Sequence, residues 1–170
     1  MSRYSMEAVN AMARGAFVDA FGGIFEHSPW VAERAWERRP FESAEALLEA
    51  MRAVVAEASD GERLTLLRAH PDLAGRLAIG ELTALSAAEQ QGAGLDRLTP
   101  AEYETFGRLN RDYVARFGFP FIVAVRGMTK DDILAAMQAR AACGAETERA
   151  EALRQVCRIA GFRLQDLIDS

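Results

Sequence analysis

The residues able to do imidazole, thiol or amine chemistry in this chain are few: His27 and His70, Cys143 and Cys157, and Lys130. A structural zinc site usually takes four ligands from Cys and His, and no C-x-x-C or H-x-x-H spacing occurs here, so a metal site built on them is not expected. A pyridoxal Schiff base needs a lysine, and Lys130 merely opens a helix-like segment after the turn signal Arg126-Gly127. The two cysteines, with thirteen residues between them, read as buried small hydrophobes of a reducing compartment. Proton transfer is the chemistry left, and His70 in RAHPDLAG is placed for it. A residue before proline avoids the α region, so His70 belongs at a helix end with its backbone fixed. Its ordinary pKa near ~6.5 suits acid–base work at neutral pH. The competing reading is a helix-terminal histidine bonded to the last carbonyls. His27, in FEHSPW, reads as a packing residue against Trp30 or a partner of nearby backbone.

Three further segments could cooperate with His70. Ser86-Ala87-Ala88-Glu89-Gln90 has the S-x-x-E form of a capping box. A helix start also offers free amides to an anion, so a carboxylate-bearing ligand could dock there with Glu89 close enough to orient a histidine. The run FPFIVAV, residues 119–125, offers Phe121, Ile122, Val123, Ala124 and Val125 as a buried connector or as an extended edge whose amides and carbonyls meet a flat polar heterocycle. Arg163, in FRLQDL, is a fork for carboxylate or urea oxygens.

These residues need helices to position them, because apolar spacing is helical nearly throughout. A first short helix carries Met12, Phe17 and Phe21 from Asn10 to Gly22-Gly23. Ser28-Pro29 reads as N-cap and N1 of a helix ending before Pro40. Ser43 caps a helix with Leu47, Met51, Val54, Val55 and Ala58 on one stripe, and Asp60 caps a shorter one through Leu64, Leu67 and Arg68. Between Pro71 and Leu98, Gly75, Gly80, Gly92 and Gly94 break the periodicity into short pieces. Thr99-Pro100-Ala101-Glu102 is a capping box for a helix to about Arg116 that Gly118 stops, with Tyr103, Phe106, Asn110, Tyr113 and Phe117 on one face. FPFIVAVRG is the one extended segment, followed by helices over roughly 130–143 and 146–168.

The expected class is all-α: one domain over residues 1–170, with about seven to nine helices. Half the residues are hydrophobic and 26% are charged, which excludes a disordered or collagen-like chain. Twenty basic against 25 acidic residues give a net charge of −5, where nucleic-acid binders normally carry a basic excess. Nineteen of the basic residues are Arg and alanine occurs 32 times, a bias that carries no function. No signal-like apolar run and no stretch of 18 apolar residues occurs, so a cytoplasmic protein with no membrane and no nucleic-acid partner is expected.

Taken in order, FGGIFEHSPWVAERAW (21–36), RPF (39–41), HPDLAG (70–75), GELTALSAAEQQGAGLDRL (80–98) and LNRDYVARFGFPFIVAVRG (109–127) resemble the 2-oxo-4-hydroxy-4-carboxy-5-ureidoimidazoline decarboxylases of urate breakdown. The resemblance implies an all-α, cofactor-free homodimer that converts this small molecule to (S)-allantoin and carbon dioxide. It implies that His70 is the catalytic acid/base and Glu89 the acidic residue beside it. It further implies substrate contacts from Pro71, Ser86, Ala87, Ala88, Glu89, Gln90, Phe121, Ile122, Val123, Ala124 and Val125, and an Arg163 near the pocket. Leu85, where a Glu is common, and Gly161-Phe162, in place of a more usual Leu-containing turn, depart from the pattern. The final LIDS lacks an S-K-L address, in keeping with a cytoplasmic location. A non-catalytic helical binding module and a family member acting on a related ureido-heterocycle are the other readings, and the enzyme reading requires His70, Glu89 and residues 121–125 to come together.

Overall fold

The computed structural model describes residues 3–74 and 82–169; Gly75 and Gly80, two of the expected helix breakers, lie outside the described residues. The described chain is helical, with α1 Met6–Ala11, α2 Arg14–Phe21, α3 Trp30–Trp36, α4 Ala44–Glu57, α5 Asp60–Arg68, α6 Ala84–Gly92, α7 Pro100–Phe117, α8 Lys130–Ala141 and α9 Ala145–Leu167. No strand occurs among the described residues, only an isolated bridge between Tyr4 and Ile168. The all-α expectation is met. The chain forms two compact units, Met1–Ala69 with Val156–Ser170, and His70–Gln155.

In the first unit α3 packs on α2 and α4. Its core is built from Phe17, Phe21, Val31, Leu47, Met51, Val55 and Leu66, all 3% exposed or less, with Val156, Ala160 and Leu164 of α9 buried in the same unit. The α4 stripe read from spacing is the buried one, and Ser43 caps it by accepting the Ala46 amide at 3.1 Å. Three boundaries differ from expectation, each for a local hydrogen-bonding reason. The N-terminal segment is two helices: Ser5 caps α1, and Asn10 bonds Phe41 through both amide groups at 2.8 Å instead of starting a helix. Ser28 does not cap α3, because its hydroxyl donates to the Glu26 carbonyl at 2.9 Å and Pro29 takes the cap position. Ser59 rather than Asp60 caps α5, since S-x-x-E closes a capping box with Glu62, with both bonds 3.1 Å.

The second unit packs α7 on α8. Its core is made by Phe106 and Tyr113 of α7, Ile133 and Met137 of α8, Ala152 of α9, and the connection at Phe119 and Phe121. Capping boxes at Thr99/Glu102 and Thr129/Asp132 start α7 and α8, and Gly118 ends α7 at φ 80°, where only glycine is unstrained. On α7, Phe106, Asn110 and Tyr113 are buried as their spacing predicts, while Tyr103 is exposed. Residues 119–125 form no regular secondary structure. Lys130 pairs with Glu102 of α7 at 2.8 Å. Both cysteines are free and only half-buried, less enclosed than expected.

Candidate active site

His70 follows Ala69, the C-cap of α5, and opens the second unit with its side chain buried. The position was legible from Pro71 alone. His27, in contrast, is exposed at φ 47°, and the Trp30 ring is covered not by it but by the Arg34 guanidinium, 4.7 Å from the ring centroid.

The turn after His70 is held by two amide side chains. Gln90 of α6 accepts the Ala74 amide at 3.0 Å and donates to the Asp72 carbonyl at 3.2 Å. Asn110 of α7 donates to the Leu73 carbonyl at 2.8 Å, while its own buried Oδ1 has no partner among the described residues. These bonds fix consecutive peptide groups in a turn whose Ala74 lies at φ 52°, a conformation that alanine adopts only when its surroundings impose it. Pro71 and Asp72 are half-buried here, and burial pushes the Asp72 carboxyl above its ordinary range.

The capping-box reading of Ser86 is corrected by α6. Thr83 caps the helix, its hydroxyl accepting the Ser86 amide at 3.2 Å, so Ser86 sits in the first turn and not at the entrance. Ala84 and Leu85 are strong helix formers that carry the start back to the earlier hydroxyl. Within α6 Ser86 and Gln90 are buried, Ala87 and Glu89 half-buried, and Ala88 exposed. With Gln90 on the turn, its neighbour Glu89 belongs to the helix that clamps the backbone beside His70.

Helix α7 joins this turn to the connection. One turn past Asn110, the Tyr113 ring meets Phe121 edge-on, with centroids 5.5 Å apart. Phe121, Ile122, Ala124 and Val125 are buried and Val123 is half-buried. Side chains satisfy part of this backbone, as a lone extended segment requires. Arg140 of α8 donates to the Ile122 carbonyl, and Gln155 of α9 accepts the Ala124 amide at 3.0 Å. Sequence reasoning missed Asn110, Arg140 and Gln155 as anchors, because each acts on main-chain groups far away in sequence and no spacing announces that.

His70, Pro71, residues 86–90 and residues 121–125 all belong to the second unit. Arg163 belongs to the first, where it is buried against Glu26, Nη1 to Oε2 2.9 Å, and donates to the Gly23 and Ile24 carbonyls at 3.3 Å. Among the described residues, no group of three or more His, Cys, Asp and Glu is arranged to hold a metal ion, and no helix is long and apolar enough to cross a membrane.

Comparison with known proteins extends over the same residues. The sequence model of the family described as OHCU decarboxylase matches residues 10–165. The chain is similar to a 2-oxo-4-hydroxy-4-carboxy-5-ureidoimidazoline decarboxylase of Haloferax volcanii, 48% identical over 170 residues, which are all of this chain and 99% of that one. It is 44% identical over 165 residues to a uric acid degradation bifunctional protein of Bacillus subtilis, covering 97% of this chain and 33% of that protein. A crystal structure of (S)-allantoin synthase superposes with a TM-score of 0.80 at 35% identity, over 98% of this chain and 55% of that chain. A crystal structure of OHCU decarboxylase in the presence of (S)-allantoin gives 0.67 at 18% identity, over 91% of this chain and 97% of that one, a likeness of fold. With the family matched from Asn10 to Gln165, across the turn at His70, the α6 helix and the 121–125 connection, this chain belongs to the OHCU decarboxylase family.

Proposed function

We propose that this protein decarboxylates 2-oxo-4-hydroxy-4-carboxy-5-ureidoimidazoline to (S)-allantoin and carbon dioxide in urate degradation, with residues 1–170 acting as one functional domain. The observation that carries this reading is the 48% identity, from end to end, with a protein of that name. In this substrate the carbon that bears the carboxylate is bonded to a ring carbon doubly bonded to nitrogen. The electron pair left by departing carbon dioxide moves into that neighbouring C=N, and so needs no metal or cofactor to receive it. The ring nitrogen takes up a proton and a second is added to one face of the ureido-bearing carbon, while the hydroxyl loses one and becomes the carbonyl of allantoin. The protein has to orient the carboxylate, hold the ring and choose the face.

His70 is assigned to the substrate hydroxyl or carboxylate during bond cleavage, and Glu89 to governing its protonation. The buried imidazole on a turn clamped by Gln90 and Asn110 supports this, since a proton donor that selects one face must itself be fixed. Pro71, Ser86, Ala87, Ala88 and the 121–125 peptide groups are assigned to substrate contact, with Arg163 as a further contact for a carboxylate or urea oxygen. Gln90 is also assigned to the substrate, through the hydrogen-bonding capacity its turn contacts leave. A homodimer in the cytoplasm completes the reading; sedimentation equilibrium at micromolar concentration should give twice the chain mass.

The test is to generate the substrate freshly by urate oxidation and ring hydrolysis and to follow optical activity with and without the protein. A single allantoin enantiomer should appear rapidly only in its presence. His70→Asn and Glu89→Gln should each lower the rate by roughly 100-fold or more. Near-normal rates in both variants would overturn the assignment of roles, and a racemic product with wild-type protein would overturn the activity.

A further inference from the structure

The connection 119–125 is held in place from behind. Arg140 donates from Nη1 to the Ile122 carbonyl and sets its guanidinium 4.6 Å from the centroid of the Phe121 ring. Gln155 takes the Ala124 amide, and the Val125 carbonyl accepts the Met128 amide at 2.9 Å. In a planar trans peptide the carbonyl and the amide point opposite ways, so anchoring the Ile122 carbonyl and the Ala124 amide turns the Val123 amide and carbonyl away from Arg140 and Gln155. The residue between them, Val123, is half-buried in an otherwise buried run, and its amide and carbonyl have no hydrogen-bond partner among the described residues. Arg140 is itself aimed. Its Nε and Nη2 lie 2.7 and 2.5 Å from Oε1 of Glu148, and the Tyr113 hydroxyl donates to that same oxygen. Glu148 is fully buried, and the Nε bond and charge pairing to its Oε1 tie the guanidinium to one place, although among the described residues Glu148 Oε2 and Arg140 Nη2 make no hydrogen bond. Burial and Glu148 push the Tyr113 hydroxyl far above its ordinary pKa, which keeps it a donor at every working pH.

We propose that Arg140 and Gln155 are positioning residues for substrate binding: with Glu148 and Tyr113 behind Arg140, they hold the 121–125 connection so that the Val123 peptide group meets the polar edge of the imidazoline ring. This rests on the decarboxylase reading above. It makes a different demand, because none of these four side chains needs to touch the substrate.

A contact made equally in the ground and transition states moves KM alone. Gln155→Ala and Arg140→Met are expected to raise KM roughly fivefold or more with kcat within about twofold, and Arg140→Lys to recover part of the Arg140→Met loss. Lys130→Ala, which removes a pairing on the same helix α8, serves as the control: it should lower the thermal midpoint without moving KM. If Arg140→Met yields no folded protein, Gln155→Ala and Tyr113→Phe decide by the same measurement. Unchanged KM in Gln155→Ala and Arg140→Lys, or a fall in kcat alone, would overturn the proposal. Should the wild-type protein turn nothing over, the decarboxylase reading fails by itself, and amide exchange of the 121–125 peptide decides the rest. Faster exchange in Gln155→Ala supports the anchoring, and unchanged exchange overturns it.

Discussion

Asn110 is a core-face residue by its spacing on α7, and its amide nitrogen nonetheless serves a turn 37 residues away. Truncation to Ala leaves the Leu73 carbonyl buried without a donor, a loss of about 1–3 kcal/mol that chemical denaturation would register as a lower midpoint at unchanged slope. Asp72 works in the other direction. Its folded pKa is raised by burial, so its contribution to stability is full below the unfolded value and is lost as pH rises through the folded one. Asp72→Asn should therefore raise the thermal midpoint at neutral pH, and by less at pH 3. Arg163 and Glu26 form a pair only 3% and 2% exposed. Arg163→Met removes the cationic partner of a buried carboxylate and should cost about 3–5 kcal/mol, whereas the Glu26→Leu/Arg163→Met double variant should recover most of it. These residues also mark what a sequence can disclose. Pro71 announced where His70 must sit, because the constraint is between neighbours. Nothing local announced that Arg163 meets Glu26 or that Asn110 meets Leu73, because the pairing is made by the fold.

At the level of elements, the helices of the sequence reading are those of the structure wherever a cap and a periodic apolar stripe agree, as in α4 and α7. The reading slipped where two hydroxyl or carboxylate residues competed for one cap: Ser59 prevailed over Asp60 and Thr83 over Ser86, each shifting a start by one to three residues. It also slipped at α1 and α2, where Asn10 is drawn to Phe41. The capping boxes have a measurable acid signature. Glu62 is held at about 2 by Arg34 and the Ser59 amide, Glu102 is lowered by Lys130 and the Thr99 amide, and Asp132 by the Thr129 amide. The stability these carboxylates supply is complete above their unfolded values near ~4 and is lost as pH falls through the folded ones. Circular dichroism with urea titrations at pH 7, 4 and 2.5 should show midpoints falling across that window, and Ser59→Ala, worth about 1 kcal/mol at neutral pH, should cost less at pH 2.5. Gly161 lies where α9 passes α4. A Cβ there would lie 3.2 Å from Leu48 Cδ2, so this departure from the family pattern matches a close approach of α9 to α4. Gly161→Leu overfills the contact and should lower stability by about 1–3 kcal/mol in the same assay.

Over the whole molecule, the long helix α9 belongs to both units. Buried Glu148, Ala152, Val156, Ala160 and Leu164 recur every fourth residue, with Arg163 buried beside the last of them, and the division falls between Gln155 and Val156 with no break in the helix. The division is not legible in the sequence, because the four-residue spacing is the same on either side of it. The order of the units along the chain has a consequence for how the protein is made. The His70–Gln155 unit is one continuous stretch, whereas the other has residues 1–69 waiting for partners more than 85 positions downstream, in the segment after Val156. Closing that long loop carries the greater entropic cost, so the continuous unit should gain protection first. Pulse-labelled amide exchange during refolding would then show α7 and α8 protected ahead of α2 and α4. On a ribosome, α2 and α3 would emerge well before the segment after Val156 that secures them, leaving Phe17, Phe21 and Val31 exposed to the cell's chaperones in the interval.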